Sequence, residues 1–197
     1  MIPSSSSEPL LTADDYLLYL RCPRSLHIRL AGGEPSRPGN DSPAGRMLGY
    51  EHLPPDREAV RAVAFSRIAG EPDVTTNVSF HAPPFTATVD VRRPQKPEGT
   101  AGVTVREGTG VKRAYLVEAA FISYCAQMAG EPLSRLYVMY VNKTYVRGET
   151  LDSDALFVTA DVTRRAARLL EEHRGRLDGL KDEIEADPTL ERYRGIL

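Results

Sequence analysis

The chain has 197 residues, 41% of them apolar, and a formal net charge of −2 from 25 Lys and Arg against 27 Asp and Glu. That length and apolar content build one sizeable core, no apolar run approaches the roughly 18 residues that cross a bilayer, and Pro3 followed by Ser4 to Ser7 is not a secretion signal, so a single cytoplasmic domain without membrane attachment is expected. Cys22 and Cys125, the two cysteines, exclude a disulfide framework and a self-contained zinc or iron–sulfur cluster, while the near-neutral charge neither favours nor excludes a polyanionic partner.

Residues 1–11 are Ser- and Pro-rich and are expected to form a mobile lead-in. Thr12, with Asp15 three positions on, forms a capping box for a helix from Ala13. Tyr16, Leu17 and Leu20, then Leu26, Ile28 and Leu30, supply an apolar side. Pro23 interrupts it, so the helix breaks at Cys22 and restarts with the proline in its first turn; Gly32 and Gly33 end it. Residues 34–43, EPSRPGNDSP, are turn chemistry and read as an exposed loop. A helix follows over 57–68.

After Gly70 the apolar period changes to two. Val74, Thr76, Val78 and Phe80, then Phe85, Ala87, Val89 and Val91, read as two strands of a hairpin turned at HAPP. Residues 102–106 give a third strand, and 111–128 a helix closed by Gly130. Residues 136–146, LYVMYVNKTYV, are apolar on both faces at the start, as in a buried central strand. Residues 161–186 read as a charged helix carrying Val162, Ala166, Leu169, Leu170, Leu177, Leu180 and Ile184, followed by a tail over 187–197. The order helix, hairpin, strand, helix, strand, helix predicts an α/β or α+β sandwich, with no internal repeat.

Four segments share a family likeness: DDYLLYLRCPRSLHIRL, FTATVDVRR, VTVREGTGVKRAYLVEAAFISY and LYVMYVNKTYVRG. Together they resemble the RecB-like branch of the PD-(D/E)XK nuclease superfamily, in a bacterial group related to CRISPR-associated exonucleases, over most of residues 10–175. The Cys22 to Arg24 step, the GVKRAYLVEAAF helix start and YVNKTYVRG carry it most strongly. The resemblance implies a restriction-endonuclease-like core, a mixed central sheet flanked by helices, in one nuclease-like domain over 12–186. In the family an aspartate on one strand and the glutamate of a Glu-x-Lys triplet on the next hold Mg or Mn, and the lysine positions or activates the attacking water. Residues two apart on a strand share a face, which is why the triplet has that spacing.

On this resemblance Asp90, in VDV, matches the aspartate. Counting back from Val111 and Lys112 at the helix start, the triplet falls on Thr104, Val105 and Arg106. Thr104 offers a neutral oxygen where a hard cation wants negative charge. Arg106 stays protonated and orients a phosphate but does not act as a base. Ile122 stands at the position of the family's helix glutamine, with Tyr124 retained. Asp90 alone is left as a weak metal ligand, and Glu118 or Glu107 would have to act as a migrated second acid. Each residue also has a plainer role. Asp90 fits a surface pair with Arg92 or Arg93, Arg106 a packed or surface arginine, Thr104 an ordinary strand residue, Glu118 a helix-surface residue, and Phe121 and Tyr124 core.

Other motifs are weaker. His27, His52, His81 and His173 show no ligand spacing, and Ser123 and Cys125 have no base nearby in sequence. The REGTGVK loop before a helix start suits an anion. Cys22 resembles the first cluster cysteine of the related exonucleases, but the set of three that would complete it does not follow, so no iron–sulfur cluster and a packed Cys22 are expected. Between Asp90 and Arg113 lie six cations, Arg92, Arg93, Lys96, Arg106, Lys112 and Arg113, against the acids Asp90, Glu98 and Glu107, with Lys143 and Arg147 further on. Arg92, Arg93, Lys112, Arg113 and Lys143 are therefore the candidate contacts to DNA or RNA.

Three functions follow from this reading. The first is a catalytically lapsed nuclease-like protein that binds nucleic acid or a protein partner and needs no cofactor. The second is an active Mg- or Mn-dependent nuclease using Asp90 with Glu118 or Glu107. The third is a purely structural or protein-interaction domain.

Overall fold

The computed structural model describes residues 10–30, 57–68, 73–97, 99–146, 149, 150 and 152–186. The expected lead-in before Leu10, the glycines at 32 and 33, the loop over 34–43 and the tail over 187–197 lie outside them.

Helix α1 spans Ala13–Arg21 and opens on the expected capping box. The Thr12 amide and hydroxyl both donate to the Asp15 carboxylate, at 2.8 and 2.7 Å, and the Asp15 amide returns a bond to Thr12 Oγ1 at 3.4 Å. The chain breaks at Cys22 and α2, Pro23–Leu30, restarts with the proline at its first position. Cys22 itself corrects the expectation of a packed thiol: it is exposed at the joint between the two helices, because the break turns its side chain away from the buried face that Tyr16 and Leu26 share. Helix α3 is Arg57–Ile68. The hairpin is β1, Thr75–Ala82, and β2, Phe85–Pro94; β3 follows at Thr100–Arg106, and α4 at Arg113–Met128.

Gly130 closes α4 at φ +76, a left-handed position that favours glycine. The Glu131 amide reaches the Ala126 carbonyl at 2.9 Å and the Ala129 amide the Cys125 carbonyl at 2.8 Å. Strand β4, Arg135–Val141, ends five residues earlier than its apolar letters suggest. Asn142 Oδ1 accepts from the Thr144 amide at 3.1 Å and turns the chain out of the sheet. Two elements escaped the sequence reading, the one-turn α5, Ser153–Leu156, and β5, Phe157–Asp161; they move the start of the last helix, α6, to Thr163–Ala186. The letters of β5, FVTAD, open with two adjacent apolar residues instead of alternating, and they run into an apolar helical pattern.

The five strands form one mixed sheet in the order β1-β2-β3-β4-β5. Among the described strands only the β3–β4 pair, which α4 connects, is parallel. β3, not β4, is the central strand, and Ala101 to Arg106 are all buried. β4 shows how the two faces divide. Leu136 and Val138 join the larger core, built with α1, α2, α4 and α6, and Met139 and Val141 join the smaller one, built with α3 and α5. The result is one α/β domain, a mixed sheet with helices on both faces, and among the described residues no helix is long and apolar enough to cross a membrane.

Candidate functional site: a buried ion-pair cluster through the sheet

Strand β2 changes sides at Asp90. Phe85, Ala87 and Val89 pack into the larger core, whereas Val91 packs into the smaller one. The ladders record the same event. β2 and β3 pair from Val91–Val103 to Pro94–Thr100 and no further along β2, while β1 and β2 pair at Thr76–Val91 and Val78–Val89 around Asn77, whose φ is +54. Asparagine tolerates that left-handed backbone better than most side chains. Where β2 and β3 part, a carboxylate replaces the missing strand partner: the Val105 amide donates to Asp90 Oδ2 at 2.6 Å.

Four charged side chains meet at this gap. Arg106, at the end of β3, points its guanidinium between two carboxylates. Its Nη1 contacts Asp90 Oδ2 at 3.3 Å and donates to the Val105 carbonyl at 2.5 Å. Its Nε and Nη2 grip both oxygens of Glu118 on α4, the Nε bond at 3.0 Å. Asp90 Oδ1 is taken by Arg61 of α3, whose Nη2 lies at 2.8 Å and also donates to Asn77 Oδ1 at 2.5 Å. Asp90 and Arg106 are each only 3% exposed. Two arginines against two carboxylates leave the cluster neutral, which is how such charges are buried at tolerable cost. Burial alone would depress the Arg106 pKa; the Glu118 and Asp90 carboxylates outweigh it and hold the group above its ordinary value. Tyr115 borders the cluster, with the Arg106 guanidinium 5.8 Å and the Lys112 ammonium 5.7 Å from its ring centre. Gly108 lets the Tyr115 hydroxyl in, since a Cβ there would lie 2.7 Å from it.

Two of the plainer assignments, those of Asp90 and Glu118, are corrected. Asp90 is not a surface partner of Arg92 or Arg93, because the flip in β2 turns it inward. Of the two plainer roles for Arg106, packed or surface, the structure has the packed one. Glu118 is half-buried and forked by Arg106, because the face of α4 toward the sheet carries it. Thr104 is buried on β3 opposite Val138. Glu107 is exposed past the end of β3 and stands outside the cluster's hydrogen bonds. Arg61 was missed: no sequence signal joins it to Asp90, because α3 and β2 meet only in the fold. Phe121 and Tyr124 are core as expected, with the Tyr124 hydroxyl donating to Asp178 Oδ1 at 2.7 Å.

The donor set does not fit a divalent cation. All four carboxylate oxygens of Asp90 and Glu118 are held by guanidinium groups, and a fixed positive charge stands where both converge. Among the described residues no three His, Cys, Asp or Glu side chains lie together as metal ligands would.

The five candidate cations do not form one face. Arg92 pairs with Glu131 at 2.6 Å on the α4 side, and Arg93 stacks at 5.7 Å on Tyr137, whose ring packs against the smaller core. Adjacent strand residues point to opposite faces. Lys112, Arg113 and Lys143 are exposed at the other end of the sheet, beyond the last residues of β3 and β4.

The fold and the site together define a mixed α/β protein with a charge-neutral ion-pair cluster threaded through its sheet. No protein-family model matches the sequence, and no curated protein matches it. Solved structures similar to it include an alkaline exonuclease, LHK-Exo, from Laribacter hongkongensis, at a TM-score of 0.44 and 12% identity over 90% of this chain and 94% of that one. Another is SSO0001, at a TM-score of 0.41 and 13% identity over 82% of this chain and 75% of that one. Likeness this distant says nothing of what the cluster does.

Proposed function

We propose that this chain is a nuclease-like protein that no longer cleaves and acts by binding, to nucleic acid or to a protein partner. One observation carries the reading: the Arg106 guanidinium stands between Asp90, the one metal ligand that the PD-(D/E)XK resemblance leaves, and Glu118, the acid that would have to replace the lost glutamate. An internal cation that cannot be released replaces an exchangeable one, and Thr104 in place of a glutamate removes the charge that would compete for metal. An active enzyme using Asp90 with Glu118 would need Arg106 to leave a buried site in which Asp90, Glu118 and a backbone carbonyl all hold it. Glu107, exposed beyond the strand, does not share that position.

The test is incubation of the purified protein with single- and double-stranded DNA and with RNA, in Mg and separately in Mn. The expected result is no strand scission above the metal-free control. Metal-dependent cleavage that disappears in Asp90→Ala would overturn the reading.

A further inference from the structure

Cations far apart in the sequence converge at the end of the sheet away from Arg106. β3 and β4 start side by side, Ala101 opposite Arg135, and β2 sets Arg93 against Ala101. β5 finishes there with Asp161 opposite Tyr137, and α6 starts there, Thr163 Oγ1 accepting from the Leu136 amide at 3.0 Å. Arg135, Arg164, Arg165 and Arg168 are exposed at this end, as is Lys96 in the turn between β2 and β3. The neighbouring acids are largely committed: Glu131 to Arg92 at 2.6 Å, Asp161 to Arg135 at 3.6 Å and Glu172 to Arg168 at 3.3 Å. Burial is the largest single influence on the Asp161 carboxyl and would raise it, but the bonds from Thr163 and the charges of Arg135 and Arg164 together outweigh it and hold the group below its usual range.

Helix α6 gives an independent sign. Arg164, Arg165 and Arg168 fill its first two turns, while Asp182, Glu183 and Glu185 lie near its end, with no acid in the first turn and no base in the last. This layout opposes the helix dipole, which favours acids at the start and bases at the finish. Alignment with the helix dipole therefore does not explain these arginines. A protein interface centres on a cluster of apolar anchors; among the described residues the exposed large hydrophobic side chains are Leu10, Met128 and Val146, and of these only Met128, at the end of α4, is near this end. Arginine forks match phosphate oxygens in pairs.

We propose that this end of the molecule binds the sugar-phosphate backbone of a nucleic acid, with Arg135, Arg164, Arg165 and Arg168 as contacts and Arg93 and Lys96 carrying the track to the other face of the sheet. It rests on the binding half of the reading above. The surface is separate from the Asp90 cluster: Ala101 and Arg106 are five strand steps apart, about 17 Å.

Fluorescence anisotropy with a labelled single-stranded 20-mer and its duplex, at salt from about 50 to 200 mM, tests it. Arg164→Glu and Arg165→Glu should each weaken binding about fivefold or more, and together lower the salt slope by about two. Lys181→Glu makes the same charge change on the same helix at its far end and should alter binding less than about twofold, since no phosphate contact is lost. Circular dichroism confirms that the variants are folded. Equal losses in all three variants, no loss in any, absence of salt-dependent binding by the wild-type chain, or equally tight binding of a polyglutamate peptide would each overturn the proposal. Cleavage of the oligonucleotide would instead overturn the non-cleaving reading and leave the mapping of the surface intact.

Discussion

Arg106 spends most of its hydrogen-bonding capacity inside the protein, on two carboxylates and the Val105 carbonyl. Its removal by Arg106→Ala strips Glu118 of the cation that forks it and leaves Asp90 with Arg61 alone. Breaking a buried pair from one side costs about 3–5 kcal/mol, and urea unfolding should show a loss of that order. Arg106→Lys should recover part of the loss, since an ammonium restores charge but not the fork. His173 is a second residue whose protonation matters. It is buried, and the Tyr16 hydroxyl donates to its Nδ1 at 2.8 Å when the imidazole is neutral with its proton on Nε2. Burial first, then the charge of Arg176, lowers its pKa; Tyr16, pushed up to about 12 chiefly by burial, remains a donor throughout. A histidine depressed in the folded state is protonated first in the unfolded chain. Its contribution is therefore complete above the unfolded value of about 6.5 and is lost as pH falls from there toward the folded value. Thermal melts at pH 7.5 and pH 5.5 should show this loss, and His173→Phe should reduce the difference between them.

Helix α6 shows how an element is tuned. Its apolar residues, Ala166, Leu169, Leu170, Leu177, Leu180 and Ile184, hold one buried stripe across 24 residues. Gly175 and Gly179 lie on the exposed side, and a Cβ at either would meet nothing within 4 Å. Gly175→Ala and Gly179→Ala should each stabilise the protein by about 0.5–1 kcal/mol, because glycine gains backbone freedom on unfolding that alanine lacks; the urea midpoint should rise without a change in slope. The other elements were legible to different degrees. The Thr12–Asp15 capping box, the Pro23 restart and the Gly130 closure rest on contacts within a few residues, so they read correctly from the letters alone. β5 did not, because its letters, FVTAD, do not alternate cleanly between apolar and polar. The end of β4 did not, because Asn142 turns the chain while the apolar letters continue.

Across the whole molecule, the cluster couples layers that the sequence keeps apart. Arg61 from α3, Asp90 and Arg106 from the sheet and Glu118 from α4 form one connected set through the gap between β2 and β3. Electrostatics is organised on the same scale, since Arg135 from the sheet and Arg164, Arg165 and Arg168 from α6 stand exposed at one end of the sheet. The sequence by itself determined the type and order of most elements and the capping signals, because periodicity and caps are local properties. Only the tertiary structure decided that Asp90 turns inward, that Glu118 and Arg61 complete its cluster, and that Arg92 and Arg93 stand at the opposite end from Lys112, Arg113 and Lys143. Those facts depend on where β2 flips and on how the helices rotate onto the sheet. Packing of distant side chains sets both, and no run of neighbouring residues records it.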